Sequence, residues 1–199
     1  EIGSGLVGSE MCIRDRIPAE LQGKKIRDIE AGFQTSIVVT ADGKVVSWGN
    51  TNAVDISSSK VKIEKIKEVK TNIQTGIALT EDGRVISLAK KETAFDKIPE
   101  EIQGKVEKIA LTDKAAAAVL KDGTVSVWGN NHNHIFEIPE EVQGNAVDIS
   151  AGRNHIVVVT KDGNAVAWGG NENKQAKVPG KATNIAKVSS GYYQNLSLI

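Results

Sequence analysis

The chain has 199 residues, with 25 Lys and Arg against 25 Asp and Glu and a formal net charge of zero, which excludes the basic excess of a nucleic-acid footprint. Apolar residues make up 40% and aromatics only 4%, so a core is affordable but must rest on Val, Ile and Ala, and no run approaches the length of a membrane span. Cys12 is the single cysteine; with it set aside, neither disulfides nor a thiol nucleophile enters, which suits a secreted protein as well as a cytosolic one.

Glu1 to Arg16 matches nothing downstream and holds both Cys12 and the single Met11. From residue 17 the chain is periodic. Asp-Gly recurs every 40 residues, at Asp42-Gly43, Asp82-Gly83, Asp122-Gly123 and Asp162-Gly163. A fixed step in this range marks a repeat architecture, in which one unit cannot bury its apolar face alone. Ile29, Val69, Ile109 and Ile149 keep the step, as do Ile26, Ile66, Val106 and Ala146. Trp48-Gly49, Trp128-Gly129 and Trp168-Gly169 keep it too, with Leu88-Ala89 in the remaining slot. Ahead of the units stand Ile17-Pro18-Ala19-Glu20, Ile98-Pro99-Glu100-Glu101, Ile138-Pro139-Glu140-Glu141 and Val178-Pro179-Gly180-Lys181, with Gln-Gly at 22–23, 103–104 and 143–144. Proline ends ladder pairing, so these stretches cross between sheets or form an edge. The second repeat departs, with Ser57-Ser58-Ser59 and a Lys/Glu-rich run to Lys70.

Within a repeat the pattern predicts three strands. In the last full copy they are Ala146 to Ala151, His155 to Thr160 and Asn164 to Trp168. Lys161-Asp162-Gly163 closes the second hairpin, because Asp and Gly tolerate the positive φ of tight turns. The middle strands are apolar throughout, as in Ile37-Val38-Val39, Ile77-Ala78-Leu79, Ala117-Ala118-Val119-Leu120 and Ile156-Val157-Val158-Val159. Such runs suit strands covered on both faces, which radial stacking of small sheets provides. Ile185, Val188, Ser190 and Gly191 begin a fifth copy one residue short of register. The reading is all-β: a partial β-propeller of about four and a half blades.

Few residues suggest chemistry. His132-Asn133-His134 offers two imidazoles, but a metal site needs three or four ligands and no third is identifiable. His155 precedes an apolar strand without a Ser or Cys nucleophile pattern, which favours a ring bonded to a neighbouring turn. Glu100-Glu101 and Glu140-Glu141 recur with the period and are read as solvated loops. No catalytic residue, metal or cofactor is assigned. The loop after the first strand differs: it presents Phe33, Ile73, Asp113, Arg153 and Tyr192-Tyr193 from one frame. Phe, Tyr and Arg are enriched in binding hot spots. Phe33, Arg153, Tyr192 and Tyr193 are therefore the candidate protein-binding residues, with plugs between blades as the competing role for Phe33 and Tyr192. Asn50, Asn130, Asn131 and Asn171, which follow the Trp-Gly positions, belong either to the same rim or to the opposite face.

The Ala-Gly turns at 31–32 and 151–152, the Thr-x-Asp-Gly hairpins, the Trp-Gly ends and Trp-Gly-x-Asn-x-x-x-Gln at Trp168 to Gln175 together resemble the regulator-of-chromosome-condensation repeat. The compact period is similar to that of the bacterial branch, which includes the propeller-type β-lactamase inhibitory protein. The resemblance covers residues 17–199 and implies a seven-bladed propeller that binds other proteins through loops on one face. Glu10 to Arg16 resembles a translated transposon-end sequencing adapter, so residues 1–16 are set apart from the repeat domain at 17–199, which is expected to be a fragment. The function that follows is a non-enzymatic interaction module whose partner is another protein, without membrane insertion, in a secreted or cell-surface bacterial setting. Its alternatives are a β-lactamase-inhibitor-like protein, a propeller hydrolase or lyase, and a structural spacer of a larger surface protein.

Overall fold

The computed structural model describes residues 17–199 apart from 33, 51–53, 55, 57–64 and 181. Five small antiparallel sheets follow one another along the chain. The first holds β1 (Ile26–Ala31), β2 (Thr35–Thr40) and β3 (Val45–Gly49), and the second β4 (Ile66–Thr71), β5 (Gly76–Thr80) and β6 (Val85–Ser87). The third holds β7 (Val106–Leu111), β8 (Ala115–Leu120) and β9 (Val125–Gly129), and the fourth β10 (Ala146–Ala151), β11 (His155–Thr160) and β12 (Ala165–Gly169). The fifth pairs β13 (Lys187–Ser190) with β14 (Asn195–Leu198). The three strands expected for each full repeat are present, and every sheet is ordered as its strands occur in sequence.

The continuous apolar middle strands are explained by burial on both faces. β5 and β11 are buried at every position, and β8 at all but the last. One face packs on the preceding sheet and the other on the following one. Thus Ile77, Leu79 and Val85 of the second sheet meet Val106, Ile109, Ala116, Ala118 and Trp128 of the third. Ala117, Val119 and Val125 of the third meet Ile149, Ile156, Val158 and Trp168 of the fourth in the same way. Trp128 and Trp168 lie within these inter-sheet cores, and each indole N–H donates to a backbone carbonyl, Phe95 O at 3.1 Å and Ile135 O at 2.8 Å. Buried indoles need such a partner.

The Asp-Gly turns carry more than a reversal. The left-handed φ falls on the glycine alone, between 74° and 89° at Gly43, Gly83, Gly123 and Gly163. The Asp residues are not left-handed, contrary to the sequence expectation. Instead Asp42 and Asp82 accept a hydrogen bond from the hydroxyls of Thr40 and Thr80, which fixes the turn by a local side-chain bond. Each turn glycine also offers its carbonyl to the sheet that follows. The amides of Ile66, Val106, Ala146 and Ile185 donate to Gly43, Gly83, Gly123 and Gly163 at 2.9–3.1 Å. A Cβ on Gly123 would sit 2.8 Å from the Gly144 backbone, so the close approach and the φ both require glycine.

The Pro-Glu segments form single 3₁₀ turns at Ala19–Leu21, Glu100–Ile102 and Glu140–Val142, each preceded by its proline. Leu21, Ile102 and Val142 point inward while Glu100, Glu101, Glu140 and Glu141 are exposed. The following Gln has a defined task. Gln103 pairs both ends of its amide with the backbone of Val85, at 2.9 and 3.0 Å, and Gln143 does the same with Val125. The departing second repeat has a short β6. Leu88 fills the buried tryptophan slot, and Ala89 bridges Val54. The segment 57–64 and residues 1–16 lie outside the described residues.

Candidate functional site

The first strands β1, β4, β7, β10 and β13 pack side by side in sequence order. Their C-terminal ends, and the turns that follow, surround a cavity of about 320 Å³ to which all five sheets contribute. Side chains one repeat apart are therefore neighbours. Asn72 donates to Thr112 O at 2.7 Å, the Asp113 amide to Arg153 O at 2.9 Å, and the Arg153 amide to Tyr192 O at 3.2 Å. From the second sheet to the fifth, the turns form a hydrogen-bonded rim.

Arg153, Tyr192 and Tyr193 come together on this rim. The Arg153 guanidinium lies 4.8 Å from the centre of the Tyr192 ring and 5.9 Å from that of Tyr193. It donates to the Tyr193 hydroxyl at 2.6 Å and to Asp113 Oδ2 at 3.3 Å. The two tyrosines meet edge to face at 4.7 Å. Hydrogen bonding to Tyr193 leads the effects that hold the Arg153 pKa above its ordinary value. The tyrosines remain 49% and 41% exposed, so neither is a plug between sheets. A planar cation clamped between an aromatic face and two oxygens is held rigid, and rigid Tyr and Arg side chains present contact area at low entropic cost. The fourth candidate, Phe33, lies outside the described residues.

Sequence reading missed Asp113 as the partner of Arg153. The signal was available: the column Ile73, Asp113, Arg153, Tyr193 has a step of 40, and adjacent members of a column face each other across sheets. It also missed the charged group on the cavity's other side. Lys70 Nζ lies 3.3 Å from both Glu30 and Glu68 carboxylates, and Glu30 accepts from the Thr71 amide at 3.3 Å. Burial pushes the Glu30 and Glu68 pKa values up, against the pull of Lys70. Burial works to lower Lys70, but Glu30, Glu68 and Asp28 overcome it and hold its pKa well above the usual lysine value.

The remaining candidates are structural in geometry. His155 is fully buried, and its Nε2 lies 2.8 Å from Asn195 Oδ1 on the next sheet. Since the Asn195 amide nitrogen donates to Gln175 O at 2.8 Å, Nε2 carries the proton and Nδ1, which has no partner, is a bare acceptor. Burial lowers the pKa of this ring. In the His132–His134 loop, Asn133 and His134 are left-handed and His134 Nδ1 meets Glu137 at 2.7 Å in the open. Among the described residues no group of three or more His, Cys, Asp or Glu is placed to hold a metal ion, and no helix is long and apolar enough to cross a membrane. Asn50 and Asn130 donate to Gln34 O and Lys114 O, which places the post-Trp-Gly loops at the same end as the rim and leaves the Asp-Gly turns at the other.

Small sheets stacked face to face around a shared cavity define a propeller-type repeat protein. The model of the regulator of chromosome condensation (RCC1) repeat matches residues 26–53 and 146–175. Solved structures agree in fold. A structure of human WBSCR16 shares 14% identity at a TM-score of 0.64, covering 92% of this chain and 61% of that one. A structure of Kap60 bound to yeast RCC1 (Prp20) matches at 18% identity and a TM-score of 0.64, covering 89% and 54%. The ectodomain of the Arabidopsis thaliana receptor kinase ACR4 matches at 19% and 0.60, covering 74% and 51%. The chain spans about half the length of these structures. No curated protein matches it.

Proposed function

We propose that the chain is a non-enzymatic interaction module that holds a partner protein at the rim of its central cavity, with Arg153, Tyr192 and Tyr193 as anchors and Phe33 alongside them. The observation that carries this reading is the stacked and hydrogen-bonded Arg153–Tyr192–Tyr193 group, exposed at a mouth to which five sheets contribute. Such clusters of rigid aromatic and Arg side chains dominate binding energy at protein interfaces. Similar structures point the same way for those proteins: one is of Kap60 bound to yeast RCC1, and another is of Saccharomyces cerevisiae Prp20p, with its binding to Gsp1p and histones. The partner of this chain is not named by those cases, because one fold hosts many functions.

The test is affinity capture with the wild-type chain and with the combined Arg153→Ala, Tyr192→Ala, Tyr193→Ala variant, followed by calorimetric titration of each purified partner. Loss of at least about tenfold in affinity is expected for a hot-spot cluster. Equal affinity of both proteins for every captured partner would sink the reading.

A further inference from the structure

The first strands of the sheets carry backbone amides that only some neighbours satisfy. In β4 the Asn72 amide donates to Thr75 O across the hairpin, and Thr71 stands opposite Gly76. Bonded and unbonded pairs alternate in an antiparallel ladder, so the Thr71 N–H points away from β5. It donates instead to Glu30 on the sheet before, at 3.3 Å. β13 repeats the pattern. Gly191 donates to Gln194 O, Ser190 stands opposite Asn195, and the Ser190 N–H donates to Ser150 Oγ at 2.9 Å. The acceptor lies 41 positions back for Thr71 and 40 for Ser190.

Leu111 and Ala151 hold the same place in β7 and β10. Thr112 and Gly152 donate to Ala115 O and His155 O, so the Leu111 and Ala151 amides also turn out of their hairpins. Thr71, Leu111, Ala151 and Ser190 all line the cavity of about 320 Å³. The residues in the acceptor position for Leu111 and Ala151 are Lys70 and Ala110, and neither side chain can accept a hydrogen bond. Among the described residues no other group takes these two protons. β7 and β10 belong to the third and fourth sheets, each packed between two others, so this donor pair is internal to the array.

Charge selects the ligand. Lys70 is the residue in the acceptor position for Leu111, and Arg153 follows Ala151 by two positions and lines the cavity. Glu30 and Asp113 line it too, but Glu30 is paired with Lys70 and Asp113 with Arg153. An amide bonds a carboxylate about twice as strongly as a neutral acceptor, and Glu30 is the chain's own example at Thr71. We propose that the Leu111 and Ala151 amides form a receptor for a carboxylate, supplied by an acidic side chain that the partner protein inserts past the Arg153 rim. The inference rests on the rim reading for the source of the acid.

The probe is N-acetyl-L-glutamic acid α-amide, whose one carboxylate is that of the side chain. It is titrated into the ¹⁵N-labelled full chain and compared by NMR with its glutamine counterpart. Saturable downfield shifts of the Leu111 and Ala151 amide protons are expected, with the glutamine compound at least about tenfold weaker. Ala110→Ser copies Ser150 and gives the Ala151 amide an acceptor within the chain. It should weaken the glutamate compound, and each captured partner in calorimetry, by about fivefold or more. Should that variant fail to fold, the two compounds alone decide. No saturable shift at the two amides, compounds within about twofold of each other, or shifts that Ala110→Ser leaves unchanged would overturn the inference. A partner weakened by the combined Arg153, Tyr192 and Tyr193 substitutions but not by Ala110→Ser would overturn it too, since its acid does not reach the cavity. That outcome would leave the rim reading standing.

Discussion

The first and third sheets carry the same apolar positions and bury them very differently. Ile29 is 67% exposed and its counterpart Ile109 is fully buried; Ile26 is 41% exposed and Val106 is covered. The sequences differ little, so the difference comes from the neighbour. Ile109 packs on Ile77, Leu79 and Val85 of the sheet before it, while no described residue covers β1 in that way. A repeat supplies half of an interface, and burial is created only by stacking. The largest expected effect tests this. Ile109→Ala should cost about 3 kcal/mol, as truncation of a buried Ile does, while Ile29→Ala should stay within about 0.5 kcal/mol. Urea unfolding of the two variants measures both, and comparable losses would break the comparison.

Next in size is the charged group that joins the first two sheets. Lys70→Ala leaves Glu30 and Glu68 facing each other, largely buried, without their shared cation. A loss of about 2 kcal/mol at pH 7 is expected, less than for a fully buried pair because water still reaches these groups. Both carboxyls have folded pKa values raised above the ordinary 4.5. The folded state therefore binds protons more readily, and the penalty is full above the folded pKa and relieved as pH falls through it toward 4.5. The variant's deficit should shrink in acid, and a deficit independent of pH would assign the loss to packing. A smaller step separates the tryptophans: Trp128→Phe removes the bond to Phe95 O inside a core and should cost about 1–2 kcal/mol. Trp48, half-buried in the first sheet, should cost less when changed the same way, and thermal melts of the pair compare them.

Much of the fold is legible in the sequence because its determinants are local or periodic. Positive φ at Gly43, tight hairpins and apolar runs such as Ile156–Val159 each announce a strand or a turn. The inter-sheet bonds are not legible in this way. The carbonyl of Gly83 reaches Val106 and the amide of Gln103 reaches back to Val85, and neither follows from the residue type. They follow from the geometry of stacking, which the period announces without describing. The rim was legible in part. Arg153 and Tyr193 stand out as residue types, but Asp113 becomes meaningful only when residues one repeat apart are known to touch. Lys70 ends the Lys/Glu-rich run in which the second repeat departs from the others, and its partner Glu30 lies on the sheet ahead of it.

His155 gives the finest distinction between the sheets, since Thr35, Thr75 and Ala115 occupy its position elsewhere and cannot titrate. Its ring is neutral in the fold: Nε2–H is committed to Asn195, Nδ1 has no acceptor to meet if protonated, and burial holds the pKa below the ordinary 6.5. The unfolded chain therefore binds this proton more readily than the folded one. The contribution to stability is full above pH 6.5 and is lost as pH falls through that value toward the folded pKa, below which the loss is constant. The His155 component of stability should drop between pH 7 and 5, and the His155→Thr variant, which copies the first two sheets, should lack that component while losing the bond to Asn195 at every pH. Local hydrogen exchange of β11 and β14 reads this most directly, because the imidazole joins those two strands. Protection that falls with pH equally in β8, where Ala115 stands, would show that the effect belongs to the whole array and not to this residue.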